Sequence, residues 1–194
     1  MKKVILIGDS IRQGYQDTVK RELAGLADVW SPEENSAHTV HHLYRFQEYV
    51  AQKQPDILHF NAGLWDLRNA FPGVAGSLVP LEHYRRNVAF LFQLAKDHTK
   101  AKVIWATTTP LSEMHQMQNH AVSGQPPRER SLVTAYNAVA VEEAQRAGVE
   151  INDLHQLILD HNPDKLLLPD GAHYNEEGCT LLGKRVAEVI RRHL

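Results

Sequence analysis

The chain has 194 residues, with 21 lysines and arginines against 23 aspartates and glutamates, a formal net charge of −2, 43% hydrophobic and 23% charged residues. That length suits one domain, 1–194, with a core large enough to do without covalent staples. The composition excludes disordered, collagen-like and coiled-coil chains, and the charge balance excludes the basic surface of a nucleic-acid protein. A single cysteine, Cys179, excludes an intramolecular disulfide and an all-cysteine metal site.

Met1-Lys2-Lys3 ahead of Val4-Ile5-Leu6-Ile7 imitates the start of a signal peptide. The apolar run stops at Gly8-Asp9-Ser10, short of the roughly 7–15 residues of such a segment. No later stretch approaches the ~20 apolar residues of a membrane span. A soluble, cytoplasmic protein that binds neither membrane nor nucleic acid is expected. No oligomeric state follows from the sequence.

Residues 4–7 read as a buried strand, and 12–24 as a weak helix. Between them lies Gly8-Asp9-Ser10-Ile11-Arg12-Gln13-Gly14. A serine directly after a strand, at a helix N-terminus, is placed for nucleophilic attack beside free backbone N–H groups. The bland alternative is a helix cap. The segment is not a Gly-x-Ser-x-Gly elbow, because Arg12 stands at the second glycine, and it lacks the Gly-Lys-Ser/Thr of a phosphate loop.

Residues 28–30 form a short strand candidate. Residues 40–53 follow as a second weak helix, ended by Pro55. His38, His41 and His42 cluster at its start. His38 and His42 at i, i+4 could hold zinc, but no Glu completes a His-Glu-x-x-His pattern, so they read as a solvated face and no metal site is assigned.

Residues 56–61 are another buried strand. Leu81, Tyr84, Val88, Leu91, Phe92 and Ala95 make a helical stripe. Residues 102–107 form a strand. Residues 111–127, rich in Gln, His and Pro and containing His115 and His120, read as a long irregular loop, a feature often tied to function. A helical stripe runs from Val133 to Ala144, residues 149–151 form the fifth strand candidate, and Leu182 to Ile190 close the chain as a helix. Strands alternating with helices predict an α/β fold, a parallel sheet of about five strands covered on both faces.

The stretch Leu168-Pro169-Asp170-Gly171-Ala172-His173 precedes the last helix. An aspartate three residues before a histidine on a turn lets the carboxylate orient the imidazole, as a Ser-His-Asp mechanism needs. Alone, it is also explained as a turn in which Asp170 satisfies backbone N–H groups. Arg12 and Arg68 each closely follow a candidate segment and can recognise an anionic or sugar substrate through paired hydrogen bonds, or stay solvated.

Together the blocks Gly8-Asp9-Ser10-Ile11 with Gly14, and Asp170-Gly171-Ala172-His173 with Gly178, resemble those of the SGNH, or GDSL-like, serine hydrolases, from Ile5 nearly to the C-terminus. The resemblance implies a flavodoxin-like three-layer α/β/α sandwich, with Ser10 as nucleophile, His173 as base and Asp170 as its orienter, and no cofactor or metal. It also marks departures. In Glu34-Asn35-Ser36-Ala37-His38-Thr39, Ala37 replaces the glycine whose N–H enters the oxyanion hole. An ordinary φ is expected at Ala37, since a positive one is costly for alanine. In Asn61-Ala62-Gly63-Leu64-Trp65-Asp66, Gly63 and Asp66 match the third block and Trp65 replaces its asparagine. The expected oxyanion hole is the N–H groups of Ser10 and Ala37 with the Asn61 amide. Trp65, as pocket wall or indole donor, together with Gly63 and Arg12, is expected to meet substrate.

The expected activity is hydrolysis of a small-molecule ester through an acyl-enzyme. The chain lacks a cap domain, so its open cleft favours short acyl groups such as acetyl on a sugar. Two rivals are a non-catalytic ligand-binding module that keeps the fold, suggested by Ala37 and Trp65, and a phosphatase using Asp9, disfavoured by Ile11 where a second aspartate is wanted.

Overall fold

Five short apolar runs pair as a parallel sheet in the computed structural model, which describes residues 1–69, 75–123 and 128–194. They are β1 (Lys2–Ile7), β2 (Ala27–Trp30), β3 (Ile57–Phe60), β4 (Lys102–Ala106) and β5 (Glu150–Asn152), in the order β2-β1-β3-β4-β5. Val4 pairs with both Val29 and Ile57, which fixes β1 as a central strand. Val4 to Ile7 and all of β3 are buried, as expected of strands covered on both faces.

The helices are α1 (Ser10–Glu22), α2 (Thr39–Phe46), which runs on into a π-turn at Gln47–Ala51, α3 (Leu81–His98), α4 (Glu113–Ser123), α5 (Arg130–Ala147), α6 (Leu154–Leu159), α7 (Pro163–Leu166) and α8 (Glu176–Arg191). α1 packs on α8, and α3 packs on both α2 and α5, so two helical layers flank the sheet. The expected three-layer α/β/α sandwich is present. This strand order reverses direction beyond the end of β1, the place where open α/β sheets bind ligands.

Aromatic packing anchors the α3 layer. Phe60 and Phe92 each meet Trp105 edge to face, at 5.0 and 5.5 Å between ring centres. Burying a side chain of this kind contributes about 1.5–3 kcal/mol. Two tyrosines then pin the loop after β3: Tyr84 Oη donates to the Ala62 carbonyl at 2.8 Å, and Tyr136 Oη to the Val79 carbonyl at 2.6 Å. These bonds fix the two ends of that loop, at Ala62 and Val79.

The irregular stretch expected at 111–127 is corrected. Residues 113–123 form α4, which carries His115 and His120, while 124–127 lie outside the described residues. α4 escapes pattern reading because Met114 and Met117 are exposed and, among its described side chains, the buried one is polar, Gln116. It is held by docking: Ser112 N donates to the Gly171 carbonyl at 2.9 Å, and Gln116 N to the Ser112 carbonyl at 3.0 Å. Among the described residues, no helix is long and apolar enough to cross a membrane.

Candidate active site

β1 ends at Ile7, and Gly8-Asp9 turn the chain into α1. Asp9 is the N-cap, its Oδ1 accepting from Ile11 N at 3.0 Å. Asp9 is buried, which pushes its carboxyl up; the Ile11 N–H, the Asn61 amide, Arg128 and His173 oppose that only in part. Ser10 takes the first helical position, where its N–H has no intrahelical acceptor.

At the other end of the chain, Leu168 N donates to the His173 carbonyl at 2.8 Å and closes a tight turn. Gly171, at φ 70°, makes the turn possible; a Cβ there would also lie 2.6 Å from the Ser112 carbonyl. Asp170 Oδ1 accepts from the N–H groups of Ala172 and His173, both at 2.9 Å, leaving Oδ2 to meet His173 Nδ1 at 2.6 Å. Burial pushes the Asp170 carboxyl up, but these two N–H groups and the imidazole together hold it below the usual carboxylate range. An ionised Asp170 places the ring proton on Nδ1 and leaves Nε2 as an acceptor. That Nε2 lies 2.7 Å from Ser10 Oγ, across 163 residues of sequence. The His173 and Asp170 side chains are 43% and 36% exposed, so the cleft is open to water and to a small substrate.

Ser10, His173 and Asp170 are therefore brought together. The neighbours differ from expectation. Arg12 does not face a substrate: it is fully buried. Its Nη1 donates to the Pro32 carbonyl at 2.8 Å, and its Nη2 to the carbonyls of Glu34 at 2.6 Å and Gly8 at 3.3 Å. It braces the loop that leads to Ala37. Ala37 has φ 48°, not the ordinary value expected, and its N–H donates to Asn35 Oδ1 at 2.8 Å. Ser36 N donates to the Gly8 carbonyl at 3.1 Å and ties this loop to the nucleophile segment, which is what imposes the left-handed backbone.

Asn61 is buried at the end of β3 with its amide beside the Asp9 carboxylate and its Oδ1 against Gly8. It supports the cap under Ser10. Gly63 is buried too, and a Cβ there would meet Thr108 Oγ1 at 2.1 Å, so it permits close packing instead of lining the pocket. Trp65 is half-buried with the Arg68 guanidinium 4.6 Å from its ring centre. Asp66 accepts from Thr39 N at 3.0 Å and Thr39 Oγ1 at 2.5 Å, fastening the start of α2 to the loop after β3. Burial pushes the Asp66 carboxyl up to about 7.

Of the clustered histidines, His38 caps α2 through Nδ1, but His42 is not solvated as expected: it is buried against Phe60. Among the described residues, no three His, Cys, Asp or Glu side chains converge as metal ligands. Two residues carry no sequence signal at all. Gln116 and Arg128 come next to the Asp170 turn only because α4 docks there.

Comparisons with known proteins bear on family and fold. Residues 6–181 match the GDSL-like Lipase/Acylhydrolase family. A human protein, isoamyl acetate-hydrolyzing esterase 1 homolog, is 29% identical over 117 residues, 59% of this chain but 47% of its own length, so the match spans about half of that relative. Among solved structures, a lipase/acylhydrolase from Enterococcus faecalis superposes with a TM-score of 0.82 at 22% identity, covering 100% of this chain and 97% of that one. Axe2, an acetylxylan esterase from Geobacillus stearothermophilus, superposes with a TM-score of 0.76 at 18% identity, covering 97% of this chain and 94% of that one. At such identities the two structures share the fold with this chain.

Proposed function

The chain belongs to the GDSL-like lipase/acylhydrolase family, and from that premise we propose that it is a carboxylic ester hydrolase that cleaves esters of short acyl groups, acetyl among them, through an acyl-enzyme on Ser10. The observation that carries this reading is the hydrogen-bonded chain from Ser10 Oγ to His173 Nε2 at 2.7 Å and from His173 Nδ1 to Asp170 Oδ2 at 2.6 Å. In the proposed reaction, Oγ attacks the ester carbonyl as Nε2 takes its proton. The imidazolium is stabilised by Asp170 and then protonates the leaving alkoxide. Water, activated by the same imidazole, releases the acid.

The negative oxygen of the tetrahedral intermediate is received by the Ser10 N–H. The Ala37 N–H joins it when that oxygen displaces Asn35 Oδ1, an exchange of a neutral acceptor for a charged one that strengthens the bond. The exposed Asp170–His173 pair favours a small acyl group over a long chain needing a buried tunnel. An acetylated carbohydrate fits this reading, and the likeness to an acetylxylan esterase supports it.

The experiment is labelling with a neutral fluorophosphonate, read by intact mass, alongside hydrolysis of p-nitrophenyl acetate. One adduct on Ser10, with both label and turnover lost in Ser10→Ala, is the expected result. An unlabelled protein that still binds acetylated sugars would instead make it a binding module.

A further inference from the structure

The loop after β3 and the link between α4 and α5 each carry an arginine that, among the described residues, has no carboxylate bonded to it. Arg68 sits in the loop after β3. Its carbonyl accepts from Leu78 N at 2.7 Å, and its guanidinium lies on the Trp65 ring. Arg128 lies between α4 and α5. The buried Gln116 side chain grips its backbone at both ends, Oε1 accepting from Arg128 N at 2.9 Å and Nε2 donating to the Arg128 carbonyl at 3.2 Å. Because the Gln116 main chain packs on Gly171, Arg128 is held in fixed relation to the Asp170–His173 turn.

The Arg128 guanidinium is half-buried and lies in the field of Arg68, Asp9 and Asp170. Burial and then the Arg68 charge hold it below the usual arginine range, and the two aspartates oppose that. Neither aspartate is hydrogen-bonded or ion-paired to it: Asp9 Oδ1 caps α1 while its Oδ2 stays buried without a hydrogen-bond partner, and Asp170 is taken by His173 and two N–H groups.

Arg86 and Arg130 are exposed to water, and the remaining arginines are answered. Arg12 is bonded to carbonyls, and Arg45, Arg85, Arg146, Arg185, Arg191 and Arg192 pair with glutamates. Among the described residues, the guanidinium groups of Arg68 and Arg128 have no hydrogen-bond or ion-pair acceptor. Two neighbouring, partly dehydrated cations repel until an anion joins them, and the planar guanidinium fork suits a carboxylate.

We propose that Arg68 and Arg128 form an anion-binding wall of the Ser10 cleft, and that the preferred substrate is an ester that also carries a carboxylate. This rests on Ser10 being the nucleophile. The wall orients the substrate by its charged end while Trp65 covers the face between charge and ester.

The test compares kcat/KM for two pairs that differ in charge. 4-Acetoxybenzoate against its methyl ester places the carboxylate on the alcohol side; monophenyl succinate against phenyl butyrate places it on the acyl side. A preference for the anion of about 10-fold or more is expected in one pair, the size of one good charge contact of about 1.4 kcal/mol. It should shrink in 0.5 M NaCl, as screening to a Debye length of only a few ångströms requires, to about a third of its value or less. Arg68→Gln and Arg128→Gln should each cut the anion-to-neutral ratio about fivefold or more.

Equal or better use of the neutral ester in both pairs overturns the proposal, as does a preference that survives both substitutions. Calorimetric binding of succinate and 4-hydroxybenzoate to the Ser10→Ala protein reads the wall without turnover. Failure of both to bind at millimolar concentration overturns the wall even if the esters are cleaved. Absence of fluorophosphonate labelling overturns the hydrolase reading instead.

Discussion

Replacing Arg12 with methionine should destabilise the protein and slow its chemistry without acting on substrate binding. Arg12 is fully buried, and its guanidinium serves the carbonyls of Pro32, Glu34 and Gly8. Methionine fills most of the space of the aliphatic stem but leaves the Pro32 and Glu34 carbonyls without a donor, while the Gly8 carbonyl keeps the Ser36 N–H. An acceptor stranded in the interior costs about 1–3 kcal/mol, so the two together cost about 2–6 kcal/mol. Part of the loss is returned, because burial disfavours the Arg12 charge, as its lowered pKa records. The balance is a loss of about 2–4 kcal/mol. For a chain of this size that corresponds to roughly 4–16 °C in Tm.

The loosened loop leads to Ala37, so kcat should fall by about 10-fold or more with KM little changed, the pattern of a lost transition-state interaction. Urea unfolding followed by tryptophan fluorescence measures the first effect, and p-nitrophenyl acetate kinetics the second. A loss below about 1 kcal/mol combined with a raised KM would refute the bracing role and return Arg12 to the substrate-contacting role that the sequence suggests.

Asp170→Asn should leave a folded protein whose kcat is lower by about 10³–10⁴-fold, because the imidazole loses the carboxylate that sets its tautomer; retained turnover in a steady-state assay would exclude the triad. Ala37→Gly should stabilise by about 0.5–1 kcal/mol in urea unfolding, since glycine carries the left-handed backbone at φ 48° without Cβ strain, and a loss of stability would argue against that backbone. Burial pushes His42 down to about 3 and His59 to about 4, from 6.5. Both stay neutral in the fold while the unfolded chain takes up protons. Their stabilisation is complete above about pH 6.5 and is lost as pH falls toward 3–4, each adding a slope of about 1.4 kcal/mol per pH unit. Asp66, held up to about 7, has the opposite sign, protonating in the fold first and so gaining stability as pH falls. His42→Leu should therefore flatten the acid limb of stability against pH by about one proton, and an unchanged slope between pH 4 and 6 would contradict its burial as a neutral ring.

What the sequence determined by itself is local. The runs at 4–7, 56–61 and 102–107 are apolar and β-branched over strand length, and the stripes at 81–95 and 133–144 keep a helical period, so element type follows from short-range pattern. The Asp170-to-His173 contact was legible for the same reason: three residues on a turn suffice to make it. The flavodoxin-like layering and the pairing of Ser10 with His173 entered through the family resemblance, since no local rule joins residues 163 positions apart.

Only the tertiary structure decided the surroundings. Arg12 is a brace because the chain returns at Pro32 and Glu34 with unpaired carbonyls. Ala37 is left-handed because Ser36 is tied to Gly8. Residues 113–123 are helical, with few apolar residues to mark them, because Ser112 docks on Gly171, and that docking carries Gln116 and Arg128 to the cleft. Burial and partner identity at a polar residue depend on what arrives from distant segments, and the free energy of a buried charge or an unpaired carbonyl is set there, not by its neighbours in sequence.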